Sequence, residues 1–126
     1  LYLCMYLICG LLISHNIRSL IKLYTKCLRP YNKYPNLIKY YYKKKKSYSF
    51  PSQSVINISV IYNTICNYNI INNVNTNIYF HIFYYSLLFS LAITRLYRGL
   101  HYPHDIIISY FMGDWIVNTL FYYINM

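Results

Sequence analysis

The chain has 126 residues, of which 57% are hydrophobic and 21% aromatic, and it carries a formal net charge of +10. A soluble domain of this length could not comfortably bury so large an apolar fraction, whereas a lipid bilayer would accommodate it. The charged fraction is 11%, below the roughly 25% of soluble globular domains, and it is almost all basic, which favours an anionic partner or surface.

The first predicted element is an uninterrupted apolar run over residues 1–14. It is shorter than the about 20 residues of a full membrane span. We therefore expect a truncated first span in a chain that is N-terminally incomplete, since it opens on Leu1 rather than Met. Basic residues then recur three and four positions apart, which places them on one helix face. These residues are Arg18, Lys22, Lys26 and Arg29.

A loop is predicted over residues 31–50. Pro30 should end the preceding helix, because proline lacks an amide hydrogen and biases the residue before it away from helical geometry. Four consecutive lysines at 43–46 are typical of a juxtamembrane patch that meets anionic lipid.

Three further helices of near-spanning length are predicted over residues 55–71, 78–93 and 106–124. The polar segment NNVNTN at 72–77 is typical of a turn between two antiparallel helices. If all four helices cross a membrane, every Lys and Arg falls on one face, which we name side A. The predicted fold is an all-α, multi-pass transmembrane helical bundle of about four spans with the first truncated, formed by a single domain over residues 1–126.

Several residues on side A suit the binding of a phosphate. Lys22, Arg29 and Arg95 offer positive charge, and arginine can grip phosphate oxygens bidentately. His101 is a candidate nucleophile or base, and Asp105, four residues later, could accept a hydrogen bond from its other ring nitrogen. Pro103 suits the first position of the last helix, which puts His101 beside a helix N-terminus that favours anions.

Three motifs stand in order along the chain: Lys22-x6-Arg29-Pro30, Pro51-Ser52 and Arg95-x5-His101-x3-Asp105. Together with the stretch RLYRGLHYPHD at 95–105, they resemble the signature of the type 2 phosphatidic acid phosphatase and haloperoxidase superfamily. The lead-in YSFPS at 48–52 is similar to that of long-chain-base phosphatases, which makes a sphingoid-base phosphate phosphatase a possible subtype.

The resemblance implies a membrane lipid phosphatase, a metal-independent phosphoric ester hydrolase without a cofactor, acting on a lipid phosphate or diphosphate. His101 would form a phosphohistidine intermediate, and Asp105 would orient it. The implied phosphate ligands are Lys22, Arg29, Ser52 and Arg95. Arg18 and Lys26 fall outside the motif and are interpreted as facing solvent or lipid headgroups.

The second motif departs from the family pattern at two positions. Gln53 stands where glycine is usual, and Ser54 stands where the family places the histidine that protonates the leaving group. Serine is a poor general acid, so we expect any activity to favour lipid diphosphates, whose leaving phosphate is far less basic than an alkoxide. His104 could substitute as the acid. The alternative is a catalytically impaired or inactive relative that binds lipid phosphates.

Other interpretations of the basic charge are less favoured. A peripheral protein that binds nucleic acid would be soluble without detergent, and we expect no nucleic-acid partner. We expect an internal membrane such as the endoplasmic reticulum. The basic bias of side A favours the cytosolic face, whereas the resemblance implies a lumenal or extracytoplasmic active site, so sidedness stays open. Asp114 lies inside the last predicted span without an assigned partner, and His15 and His81 are interpreted as ordinary polar residues.

Overall fold

The computed structural model describes residues 1–38 and 48–124, and the predicted lysine patch at 43–46 lies outside them. This part of the chain is helical and contains no strand, which confirms the predicted all-α class. The helices are α1 (Tyr2–Thr25), α2 (Pro30–Lys33), α3 (Gln53–Ile71), α4 (Ile78–Tyr97) and α5 (Pro103–Ile124).

The apolar run and the basic segment that follows it form one helix, α1. It ends at Thr25, earlier than predicted, because Lys26 adopts the left-handed conformation (φ 45°) and its amide bonds to the Lys22 carbonyl. Pro30 does not end α1 but opens the short α2, where its fixed φ suits the first helical position. The predicted loop after residue 30 therefore begins with a helical turn.

The remaining helices match the predicted ones, with shifted ends. α3 begins directly after Ser52, and α5 begins at Pro103 as its position predicts. The polar turn separates α3 from α4, and the Asn77 side chain caps α4 by accepting a hydrogen bond from the Tyr79 amide at 3.1 Å. α4 continues to Tyr97, beyond its predicted end.

The centre of the fold is the pair α3 and α5, which run parallel. Ser59 Oγ donates to the Tyr110 carbonyl at 2.8 Å, and further along both helices Asn67 donates to Asn118 at 3.0 Å. Gly113 allows this close approach, since a Cβ there would lie 2.5 Å from Ser59 Cβ. The buried core consists of Ile56, Val60, Val117, Leu120 and Phe121.

α1 packs antiparallel to α3, with Gly10 beside Val60 near its start and Lys22 Nζ donating to the Tyr48 carbonyl at 3.0 Å near its end. α4 packs on α3 through Tyr84, whose ring stacks on Tyr62 at 3.6 Å between centroids. This arrangement brings the C-terminal ends of α1 and α4 and the N-terminal ends of α3 and α5 to the same end of the bundle.

Among the described residues, one stretch, Tyr2–Lys33, which comprises α1 and α2, is both long and apolar enough to cross a membrane. Asn residues along α3 and Tyr residues along α4 and α5 lower the hydropathy of the other helices. The prediction of about four spans is thus not established by length and composition.

Candidate active site

His101 lies in the short segment between α4 and α5, which is shaped by a glycine in the left-handed conformation and held by two hydrogen bonds. Gly99 has φ 59°, and a Cβ at this position would lie 2.9 Å from Ile38 Cγ2, so a larger residue would be strained and crowded. The Tyr31 amide donates to the Gly99 carbonyl at 3.2 Å, and Arg29 Nη1 donates to the Leu100 carbonyl at 3.1 Å. The turn is therefore held by α2 and by the arginine that precedes it.

Asp105 is fully buried in the first turn of α5, directly behind His101. Its Oδ2 accepts hydrogen bonds from Ser49 Oγ and from the Tyr102 amide, the latter at 3.0 Å. His101 Nδ1 lies 3.8 Å from the same oxygen, which is beyond a hydrogen bond but within ion-pair reach. The predicted pair is thus adjacent, and Nδ1 is the ring nitrogen that faces the carboxylate.

A cavity of about 340 Å³ opens beside His101. Its charged lining residues are all basic, and polar uncharged side chains complete the wall. The lining residues are Arg18, Lys22, Arg29, Gln53, Ser54, Asn57, Arg95 and His101. Because no carboxylate is among these described residues, the cavity is suited to an anion.

Four of the predicted site residues meet at this cavity: Lys22, Arg29, Arg95 and His101. Ser54, at the position of the missing acid, lines it as well. Ser52 does not line it: the residue is fully buried and its amide donates to Ser109 Oγ at 2.7 Å. Ser52 Oγ has no hydrogen-bond partner among the described residues.

The structure also adds residues that sequence reasoning missed. Arg18 was expected on the outer stripe, but it lines the cavity, whereas Lys26 is exposed as expected. The spacing of Arg18 could have indicated this position, because Arg18 lies one helical turn before Lys22 on the same helix face. Ser49 holds Asp105 from a distant part of the chain, and no local pattern marks it.

His104 does not line the cavity, although its Nε2 lies 3.2 Å from Asp105 Oδ1. Its side chain is 62% exposed. The structure therefore gives no support to His104 as a substitute acid.

The electrostatic environment keeps His101 neutral. Burial lowers the pKa of His101 below its ordinary value of 6.5, and the nearby Arg29 and Lys22 cations act in the same direction, while Asp105 opposes them. A neutral imidazole retains the lone pair that a nucleophile needs. The side chain is also 6% exposed, so it is largely shielded from bulk water.

A comparison with protein families now complements this geometry. The model of the PAP2 superfamily matches residues 1–126. The chain matches no curated protein and no solved structure. Members of the PAP2 superfamily are phosphatases, which supports a hydrolase acting on a substrate that bears phosphate. The match covers the whole sequence, including all three motifs and the residues around the cavity, and the chain therefore belongs to the PAP2 superfamily, the type 2 phosphatidic acid phosphatases.

Proposed function

We propose that this protein is a membrane lipid phosphatase that hydrolyses a lipid phosphate or diphosphate through a phosphohistidine on His101. The observation that carries the proposal is the cavity itself, in which a buried neutral imidazole meets a wall of cations. Preorganised positive charge stabilises the anionic transition state of phosphoryl transfer. Family membership supports the reaction class.

In the proposed first step, His101 Nε2 attacks the phosphorus of the bound substrate. The new P–N bond forms while the bond from phosphorus to the leaving oxygen breaks, and its electron pair stays on that oxygen. Lys22, Arg29 and Arg95 hold the other phosphate oxygens during the transfer. Asp105, 3.8 Å from Nδ1, stabilises the positive charge that the ring gains.

In the second step, water attacks the phosphorus of the phosphohistidine. The P–N bond breaks, its electrons return to Nε2, and both protons of the water leave on inorganic phosphate. The first step is the demanding one in this chain, because Ser54 cannot efficiently protonate an alkoxide leaving group. A leaving group that needs no proton, such as a phosphate, avoids this difficulty.

The exposed surface of the helices supports a membrane location. α1, α3, α4 and α5 have 24, 19, 20 and 22 residues, each near spanning length. They leave many large apolar side chains uncovered, among them Leu12 (60% exposed), Phe89 (69%) and Trp115 (62%). So much exposed apolar surface is unusual for a soluble monomer and suits a multi-pass bundle in lipid.

Membrane extraction tests this part of the proposal. We expect the chain to stay with the membrane pellet in alkaline carbonate and to dissolve only with detergent. Release by high salt alone would indicate a peripheral basic protein instead. The assignment to the endoplasmic reticulum remains a prediction, which fluorescence of a tagged chain beside organelle markers would test.

Phosphate release tests the activity. The detergent-solubilised protein is given lipid monophosphates and diphosphates without added metal, beside the variants His101→Ala and His104→Ala. We expect His101→Ala to lose at least about 1,000-fold in rate, since it removes the nucleophile. His104→Ala is the comparison, because His104 is exposed, lies outside the cavity and contacts Asp105 only through Oδ1, the oxygen that does not face His101. Equal effects of the two substitutions would contradict the assignment.

The replacement at Ser54 favours one alternative, an inactive relative that binds lipid phosphates. The same assay separates the two functions. If neither the wild type nor the variants release phosphate, while the wild type still retains lipid phosphates in a binding assay, the protein is a binding module.

A further inference from the structure

We propose that Arg18, with the amide pair Gln53 and Asn57, forms a second anion subsite in the cavity. It holds the lipid-bearing phosphate of a lipid diphosphate while the terminal phosphate meets His101. This inference rests on the proposed function and deepens it, because it names the substrate class and the residues that select it.

Arg18 would supply the positive charge of the second subsite. It lies outside the family motif, yet its side chain shares the cavity wall with Lys22, Arg29 and Arg95. Its Nε is buried and has no hydrogen-bond partner among the described residues. Among the described residues, its one hydrogen bond is a long one, from Nη2 to Ser19 Oγ at 3.4 Å. The guanidinium thus has donor capacity left unused, and its side chain lines a cavity whose described lining includes no carboxylate, so a bound anion would be a suitable acceptor for it.

The amide pair Gln53 and Asn57 would supply uncharged hydrogen-bond donors to the same subsite. Gln53 replaces the glycine usual in the second motif, and its side chain lines the cavity. Its Nε2 donates to Asn57 Oδ1 at 2.6 Å, which ties the two amides together. Since Asn57 Oδ1 accepts this bond, the pair can offer a ligand the N–H groups of Asn57 Nδ2 and the second N–H of Gln53 Nε2. Both departures from the family motif, Gln53 and Ser54, therefore line the same cavity as Arg18.

The helix register gives the order of the two subsites. α1 and α3 are antiparallel, and Arg18 lies one turn before Lys22, about 6 Å further from side A. Asn57 likewise lies about one turn beyond the start of α3. The second subsite is thus deeper in the bundle than His101. A lipid diphosphate fits in this direction, with its terminal phosphate at His101 and its apolar chain toward the middle of the helices.

The charge of the cavity points to the same ligand. Of the described residues that line it, four are cations and none is an anion. A phosphate monoester carries about −1.5 to −2 charges at pH 7, and a diphosphate adds roughly one more. A sphingoid-base phosphate would place its ammonium near Arg18, where like charges repel. The cavity is therefore better matched to a diphosphate than to a long-chain-base phosphate.

The subsite also stabilises the leaving group, which Ser54 cannot do by protonating it. When His101 attacks the terminal phosphorus, the bond to the bridging oxygen breaks and its electron pair stays on the lipid monophosphate that leaves. Arg18 and Asn57 stabilise that charge by hydrogen bonds, so no proton is needed. Water then hydrolyses the phosphohistidine to inorganic phosphate as proposed above.

The experiment compares Arg18→Gln with Lys26→Gln, which removes an exposed cation from the end of the same helix. Each protein is assayed on one prenyl chain that carries either a monophosphate or a diphosphate. We expect Arg18→Gln to lower kcat/KM for the diphosphate about 10- to 100-fold, the usual worth of a charge-assisted hydrogen bond. The monophosphate rate should change less than about 3-fold, and Lys26→Gln should change neither.

A binding measurement keeps this inference separate from the proposed function. Calorimetry with inorganic pyrophosphate and inorganic phosphate should show tighter binding of pyrophosphate by the wild type, with the preference lost in Arg18→Gln. If the wild type hydrolyses neither lipid but shows this preference, the phosphatase proposal fails and the subsite stands. Equal losses on both lipids, activity on the monophosphate alone, or no preference for pyrophosphate would overturn the subsite.

Discussion

Ser49 Oγ donates a hydrogen bond to Oδ2 of Asp105, joining the segment before α3 to the first turn of α5. Both residues are fully buried. The Tyr102 amide donates to the same carboxylate oxygen from the segment that carries His101. Asp105 is thus held by donors from two parts of the chain, which fixes the position of its carboxylate behind the imidazole.

The first prediction concerns this bond. Ser49→Ala should lower the free energy of unfolding by about 1–3 kcal/mol, because a buried carboxylate loses a hydrogen-bond donor. Ser86→Ala is the matched control, since Ser86 is exposed and its one hydrogen bond within the described part of the chain is to the Phe83 carbonyl of its own helix. It should change stability by less than about 0.5 kcal/mol. Denaturant unfolding in detergent measures both, and similar losses in the two variants would argue against the role of Ser49.

The helices could be predicted from sequence where local chemistry determines them. Pro103 marks the start of α5, and the polar segment 72–77 marks the turn before α4. The end of α1 could not be predicted, because Lys26 takes a left-handed conformation that usually needs glycine or asparagine. The start of α2 was missed since proline can either end a helix or begin one.

The candidate site was predictable to the extent that its residues lie in ordered motifs. Lys22, Arg29, Arg95 and His101 do meet at one cavity. The contacts of Ser49 and Ser52 were not predictable, since each depends on pairing with α5 across more than 50 residues. Arg18 was assigned to the outer surface because only the neighbouring helix reveals which part of the stripe faces inward.

The second prediction concerns pH. Burial and nearby cations lower the pKa of His101 from its ordinary value of 6.5. The imidazole therefore becomes protonated at a lower pH than a free histidine does. The acid limb of kcat/KM, where protonation removes the nucleophile, should therefore lie below pH 6.5. Lys22→Gln removes one of the cations that lower the pKa, so the limb should move to higher pH. A pH profile of phosphate release measures this.

Lys26→Gln is the control for this shift, because Lys26 is exposed at the end of α1. Its profile should overlay that of the wild type. An acid limb that stays in place in Lys22→Gln, or moves to lower pH, would contradict the electrostatic explanation.

The third prediction concerns the missing general acid. Ser54→His places an imidazole on the cavity wall, where it can protonate a leaving alkoxide. The rate on a lipid monophosphate should rise about 10- to 100-fold, part of the usual gain from acid catalysis. The rate on the matching diphosphate should change little, because its leaving phosphate needs no proton. Ser54→Asn adds a polar side chain without a transferable proton and should give no such rise. A similar rise with asparagine would assign the effect to binding.

The last prediction concerns the packing that brings Asp105 to the start of α3. A Cβ at Gly113 would lie 2.5 Å from Ser59 Cβ and 3.0 Å from the Ile56 carbonyl oxygen, so the helices α3 and α5 would have to separate. A Cβ at Gly10 would lie 3.0 Å from Val60 Cγ1 and would meet no backbone atom of another described helix, so a smaller displacement would relieve it. Both glycines are inside helices, so alanine brings each the same gain in helix propensity.

The difference between these two alanine variants therefore reports on packing alone. Gly113→Ala should be less stable than Gly10→Ala by about 1–3 kcal/mol, the usual cost of overpacking. It should also lose phosphatase activity, since α3 carries Ser54 and α5 carries Asp105. Thermal unfolding in detergent compares the stabilities directly. Equal stability of the two variants would mean that α3 and α5 can move apart at no cost, contrary to the tight contact at Ser59.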